Sequence, residues 1–250
     1  MLRVPRNQDA GWLLSVFPDA GEAGGCFVSS RRPPRVGYTG PAADPERARA
    51  EAARRARAAV RRYCAANRLN RFGTLTYRGS GCHDPRETKA HAGRFFRRIR
   101  ELRGGGAFPY LWVTEWHASG HGLHLHFAVG QYLPRRKIEA AWGHGFVHIK
   151  LLGDLPVGSG RLEEARRAGR YLSKYVGKTF NHEHVRVPGS HRYERAQGFT
   201  PRKVHLRGIS ADDVLGQASD IFGGQPDRLW LSSDTEGWQG PPAVWASWPG

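Results

Sequence analysis

HGLHLHF, residues 121–127, sets Leu123, Leu125 and Phe127 in strict alternation with His124 and His126. A period of two is that of a half-buried β-strand, because successive side chains leave on opposite faces. The leucines and Phe127 are therefore expected in a core. The two imidazoles are expected side by side on the opposite face, where they can share a metal ion. With 12 histidines in 250 residues, an H-x-H arises readily by chance, and the chain holds another, His182-Glu183-His184. That pair lacks the apolar middle residue, lies in a polar run and reads as a solvated loop. The case for His124 and His126 has to come from what surrounds them.

Outward from the quoted stretch, YLWVTEW (110–116) reads as a strand and HGLHLHFAVG (121–130) as its hairpin partner, joined through the turn-forming Ser119-Gly120. If the loop has an even number of residues, Glu115 lies opposite His124 and Val113 opposite His126, so Glu115 joins the histidine face. Two imidazoles and a carboxylate are a donor set for Mg²⁺ or Mn²⁺ with positions left open. An odd loop would turn Glu115 inward and leave a surface glutamate beside surface histidines.

Around this hairpin the chain alternates strands and helices. DPERARAEAARRARAAVRRYCAAN (44–67) is the clearest helix, with Asp44 as N-cap and Pro45 at the first helical position. Seven arginines between Arg47 and Arg62 decorate it; they read as a solvated basic face that can also touch DNA phosphates. RFGTLTYRG (71–79) is a strand, 85–103 a basic helix, 134–142 a short helix, GFVHIKLL (145–152) a strand and 161–180 a helix. This order predicts one α+β domain, an antiparallel sheet with helices on one face and a solvated or functional face opposite. Residues 1–43 read as a loosely structured lead-in with an edge strand. The main domain is expected over 44–210, and 211–250 reads as an acidic Gly/Pro/Trp-rich tail, too poor in aliphatic residues to pack alone.

Formal charge is +17, and from Ala211 onward it is −5, against +22 before that point. Such an excess of Arg and Lys implies a polyanionic partner, nucleic acid being the commonest. No transmembrane run, signal peptide or lipidation motif is visible, so a membrane partner is not expected. The three cysteines, Cys26, Cys64 and Cys82, are odd in number and widely spaced. They suggest a reducing cytoplasm, with neither a disulfide framework nor a cysteine zinc site.

In RYLSKYVGK (170–178), Tyr171 and Tyr175 share a helix face, and each begins a Y-x-x-K, with Lys174 and Lys178. Tyrosines at this spacing are often core packing, but interleaved lysines are awkward in a wholly buried stripe. A phenol with a pKa of about 10 needs help to act as a nucleophile. A neighbouring ammonium stabilises the phenolate and the phosphorane charge, and a metal polarises the phosphate. Two histidines, an acid, a tyrosine with its lysine and a basic scaffold are the parts needed to cleave a DNA strand by transesterification. No serine-hydrolase elbow, P-loop or HExxH is present.

FGTLTYR (72–78), HLH (124–126) and YLSKYVGK (171–178) stand in the order of the three motifs of the HUH endonucleases. Over roughly residues 70–205 the chain resembles their rolling-circle replication initiators (Rep), with a YxxKYxxK tyrosine motif. The related conjugative relaxases place the tyrosine before the histidine pair. The resemblance implies a ferredoxin-like or RRM-like HUH endonuclease fold and a nicking and joining enzyme. His124, His126 and Glu115 would hold Mg²⁺ or Mn²⁺, with Tyr175 as nucleophile and Tyr171 as a second, alternating one. Lys174 would sit on the phosphate side, and Lys178, Arg170 and Arg78 would contact DNA. FGTLTYR would build the central strand, with Thr74 or Thr76 near DNA. His117, His121, His144 and His148 receive no role.

The implied partners are single-stranded DNA at a replication origin and a host helicase and DNA polymerase, in the cytoplasm. Three other readings use the same residues: a transposase or mobilisation nickase of the same superfamily, a His/Glu metallohydrolase in which the tyrosines only pack, and a non-catalytic DNA-binding copy-control protein.

Overall fold

The structure is a computed structural model that describes residues 10–29, 44–151, 160–180 and 191–249. The chain forms two compact units, one from residues 42–201 and the other from residues 1–41 together with 202–250. His182 and His184 lie outside the described residues.

In the larger unit the strands are β3 (Arg71–Tyr77), β4 (Tyr110–Trp116), β5 (Leu123–Val129), β6 (Gly145–Leu151) and the short β7 (Glu194–Arg195). They form an antiparallel sheet in the order β6-β3-β5-β4-β7. The helices are α1 (Pro45–Ala66), α2 (Pro85–Leu102), α3 (Arg135–Trp142) and α4 (Gly160–Lys178). Asp44 caps α1, its carboxylate accepting from Arg47 N at 2.9 Å ahead of Pro45. Asp84 and Pro85 repeat the device at α2. The strand and helix assignments made from periodicity agree with these elements to within two residues at most ends.

The placement of the helices differs from expectation, because they cover both faces of the sheet. Leu75, Leu125, Phe127 and Val147 bury against Phe95, Phe96 and Ile99 of α2 and Ile138 and Trp142 of α3. On the opposite face Phe72, Leu111, Val113 and Ala128 bury against Val60, Tyr63 and Cys64 of α1 and Ala168, Leu172 and Val176 of α4. The reason is that the histidine face is polar only where β5 begins. Farther along, Ala128 and its neighbours are apolar and need a cover. At Gly169 in α4, a Cβ would lie 3.0 Å from Arg61 Cα and 3.0 Å from Cys64 Cβ, so glycine lets α1 and α4 close.

The second unit overturns the reading of both ends of the chain. Strands β1 (Gly11–Phe17), β2 (Glu22–Val28), β8 (Val204–Gly208), β9 (Arg228–Leu231) and β10 (Ala243–Ser247) form an antiparallel sheet in the order β8-β1-β2-β10-β9. Helix α5 (Ala211–Phe222) packs Val214 and Ala218 onto Leu14, Val16, Val244 and Ala246, and Phe222 stacks on Trp248 at 4.2 Å. The expected lead-in and tail are therefore partners. Neither holds enough apolar residues to pack alone, but together they bury a core. The boundary expected at residue 210 falls at 201, because β8 belongs to this second sheet. Part of the acidic excess read as a tail is the first turn of α5, where Asp212 and Asp213 oppose the helix dipole behind the Ser210 cap.

Two glycines should respond oppositely to alanine. A Cβ on Gly73 of β3 would stand 2.3 Å from the ring of buried Phe127. Gly73→Ala is therefore expected to cost about 1–3 kcal/mol by overpacking. Gly93, inside α2, has open space for a Cβ, and Gly93→Ala is expected to add about 0.4–1 kcal/mol by restricting the unfolded chain. Chemical denaturation of both variants checks the signs.

Candidate active site

The hairpin register satisfies the condition that the sequence left open. Glu115 pairs with His124 and Val113 with His126. The ladder runs one pair beyond the strands, with His117 N donating to Gly122 O at 2.9 Å, and residues 118–121 close it. That number is even, so Glu115 stands on the histidine face.

Three strands and one helix converge there. β3 runs beside β5 with Thr74 opposite His126 and Leu75 opposite Leu125. The Thr74 hydroxyl contacts His126 Nδ1 at 3.0 Å, and the Thr76 hydroxyl contacts His124 Nδ1 at 3.4 Å. From β4, Glu115 Oε2 accepts from His126 Nε2 at 2.8 Å. From α4, Lys178 Nζ donates to Glu115 Oε1 at 2.5 Å. Tyr175 lays its ring on His126, with centroids 3.7 Å apart and planes within 23°. Its hydroxyl donates to Tyr171 at 3.3 Å. Phe72 of β3 lies beneath, stacked with His126 at 5.6 Å and meeting Tyr171 edge-on at 4.8 Å.

The structure thus brings together Glu115, His124, His126, Tyr171, Tyr175 and Lys178. Lys178 faces the Glu115 carboxylate and lies 5.3 Å from the Tyr175 ring centre, and Lys174 lies 5.4 Å from that of Tyr171. Each lysine therefore attends the tyrosine that opens its own Y-x-x-K. Arg78, at the end of β3, donates to Gly143 O at 3.3 Å, and the exposed Arg170 lies on α4. Three further residues join the site. The period of two sets Phe72, Thr74 and Thr76 on one face of β3, and pairing with β5 makes that the histidine face. His117, which had no role, stacks on His124 at 4.4 Å.

Burial governs the electrostatics. It pulls the His124 imidazole down to about 4, with His117, His126 and His121 adding to the effect and Glu115 opposing it. Burial also holds His126 below its ordinary value, against the pull of Glu115. For Glu115 burial acts upward, but the hydrogen bonds from Lys178 and His126 outweigh it and keep the carboxyl below its ordinary value. Burial, the Tyr171 hydroxyl and the Glu115 charge push the Tyr175 phenol up. At neutral pH the site is therefore two neutral imidazoles, an ionised Glu115 and a neutral Tyr175.

The fit of a metal is decided by the donors. Among the described residues no group of three or more His, Cys, Asp or Glu side chains is set to hold a metal ion, because Glu115 and His126 satisfy one another. His124 Nε2, by contrast, is buried with no hydrogen-bond partner, which is costly for a polar atom unless a ligand meets it. Glu115, His124 and His126 are a chemically suitable donor set once that contact opens.

These shifts fix a pH dependence. A histidine whose folded pKa is depressed contributes stability above its ordinary value of 6.5 and loses it as pH falls toward about 4. Glu115, depressed below 4.5, loses its contribution in the same direction at lower pH. Melting temperature is expected to fall across pH 6.5 to 4, and more shallowly in His124→Asn. An unchanged slope in that variant would show that His124 is not the group responsible.

Residues 70–180, from the start of β3 to just beyond α4, match the family described as Replication-associated protein ORF2. No curated protein and no solved structure gives a significant match. The matched span contains Thr74, Glu115, both histidines, both tyrosines and their lysines. Over the segment that builds this site, the chain is similar to replication-associated proteins of that family, which supports a replication initiator.

Proposed function

We propose that this chain is a rolling-circle replication initiator that nicks and rejoins single-stranded origin DNA by metal-assisted tyrosine transesterification. The observation that carries the reading is the stacking of Tyr175 on His126, within one hydrogen-bonded cluster with Glu115 and Lys178. A tyrosine used only for packing has no need of a histidine pair, a carboxylate and an ammonium at its ring. The charge supports a polyanionic substrate. Residues 1–41 sum to +2 and 202–250 to −2, so the whole +17 resides in the unit that carries the site.

Each residue has a distinct task in this reading. His124, His126 and Glu115 would hold Mg²⁺ or Mn²⁺, whose chemistry is to polarise the phosphate oxygens. The Tyr175 oxygen attacks phosphorus, the bond to the 3′ oxygen breaks, and a 5′-phosphotyrosine and a free 3′-hydroxyl result. The proton lost by Tyr175 leaves toward solvent, and the 3′ oxygen takes one up. Lys178, beside the Tyr175 ring, offsets the negative charge of the phenolate, and Lys174 does the same for Tyr171. Tyr171, whose hydroxyl accepts from that of Tyr175 at 3.3 Å, would accept the strand in a second transfer. The phosphotyrosine keeps the energy of the phosphodiester, so rejoining needs no ATP. The exposed Arg170 and Arg78 serve as phosphate contacts. A host helicase and polymerase would separate and copy the strands.

The raised pKa of Tyr175 and the packing of both tyrosines on Phe72 favour a second reading, a metal-dependent nuclease that activates water. The two differ in one product. Incubation with labelled single-stranded DNA from the chain's own locus and Mn²⁺ is expected to yield an SDS-resistant protein–DNA adduct. Chelator and Tyr175→Phe should each reduce it at least 100-fold, while Tyr171→Phe should keep the first cleavage. Cleavage without any adduct would establish the water-activating nuclease instead.

A further inference from the structure

The strands β3 and β5 set Thr-Leu-Thr (74–76) against His-Leu-His (124–126), with Leu75 opposite Leu125 in the core and the polar residues meeting on the other face. We infer that Thr74 and Thr76 are positioning residues for the histidine pair, and that the Thr74 hydroxyl lets His126 exchange tautomers between a Glu115-bound and a cation-bound form. The inference rests on the reading of the pair as metal ligands.

The partners assign the protons. An ionised carboxylate only accepts, so the 2.8 Å contact between His126 Nε2 and Glu115 places the ring hydrogen on Nε2. The ring is neutral, so Nδ1 carries a lone pair, and at 3.0 Å it accepts the Thr74 hydroxyl hydrogen. For His126 to offer Nε2 to a cation, that nitrogen must give up its hydrogen and Nδ1 must take one. The Nε2 proton passes to solvent and Nδ1 takes one up from solvent, so the ring stays neutral and Thr74 keeps its own proton. Nδ1–H then donates to the same Thr74 oxygen.

A hydroxyl serves both forms by rotating, since it donates and accepts. A carboxylate or a backbone carbonyl at this position could only accept and would oppose the Glu115-bound tautomer. His124 stands differently. Its Nε2 is buried without a partner, and an unpaired buried N–H is the costlier alternative. Its hydrogen therefore sits on Nδ1, facing Thr76 at 3.4 Å. His124 is already in the form a ligand requires, and His126 must switch.

The test is Mn²⁺ titration calorimetry on the full chain without DNA, alongside ¹⁵N NMR of the imidazoles. Thr74→Val, which keeps the β-branched shape, is expected to weaken Mn²⁺ binding by about 10–100-fold, the usual cost of losing such a supporting contact. Thr74→Ser keeps the hydroxyl and should restore affinity to within about threefold of the wild type. In the wild type, the His126 hydrogen should read at Nε2 without metal and at Nδ1 in saturating Mg²⁺. Thr74→Val that binds Mn²⁺ as the wild type does would overturn the inference and leave the metal reading intact. Wild-type protein whose Mn²⁺ binding is absent, or indifferent to His124→Ala and His126→Ala, would overturn the metal reading and the inference with it. Should Thr74→Val fail to fold, the NMR decides: an Nε2 hydrogen that persists in Mg²⁺ overturns the exchange.

Discussion

A slip of β5 by one residue against β3 and β4 would turn His124 and His126 into the apolar layer and expel Leu125 and Phe127 from it. The antiparallel register therefore does two things at once. It seats Leu75, Leu125 and Phe127 against α2 and α3, and it lines up Thr74, Thr76, Glu115 and the histidines on the other face. Because the apolar layer opposes any slip, the polar site inherits its alignment from the core. Gly73 belongs to the same arrangement, since its missing side chain is the space that Phe127 fills.

Helix α4 completes the site through the same economy of faces. Leu172 and Val176 hold it on the apolar end of the histidine face, against Phe72 and Val113. The next positions around the helix, Tyr171, Tyr175 and Lys178, then reach the polar end. The result is a continuous passage from apolar packing to charge. Phe72 supports the tyrosine rings, Tyr175 covers His126, and Glu115 bridges His126 and Lys178. Glu115 is half-buried, and a partly desolvated carboxylate between two donors is stabilised only while both donors stay in place. The cluster is therefore sensitive to anything that draws off Lys178 or His126, a divalent cation or a phosphate among them.

The second unit has a different character. It is neutral in sum, whereas the larger unit carries the full positive charge. Its sheet is assembled from the two ends of the chain, with β10 on β2 and β8 on β1, so along the sequence the residues of the charged unit, 42–201, are an insertion between the two segments of the neutral one.

Local pattern alone determined much of this protein. The period of two placed β5 and its core residues, Asp44-Pro45 marked the start of α1, and the Y-x-x-K repeat put both tyrosines on one helix face. The parity argument for Glu115 needed only an even loop, which the hairpin has. What local pattern did not reach were contacts between residues far apart in sequence. The apolar residues of 11–28 and of 211–248 look too sparse to pack because each set is half of a core whose other half lies at the opposite end of the chain. The covering of the histidine face by α1 and α4 is likewise a matter of docking, since an amphipathic helix does not record which face of a sheet it will meet. The roles of Thr74 and Thr76 emerged only when β3 was paired with β5. A hydroxyl gains its meaning from the nitrogen opposite it, and strand pairing is set by the tertiary structure.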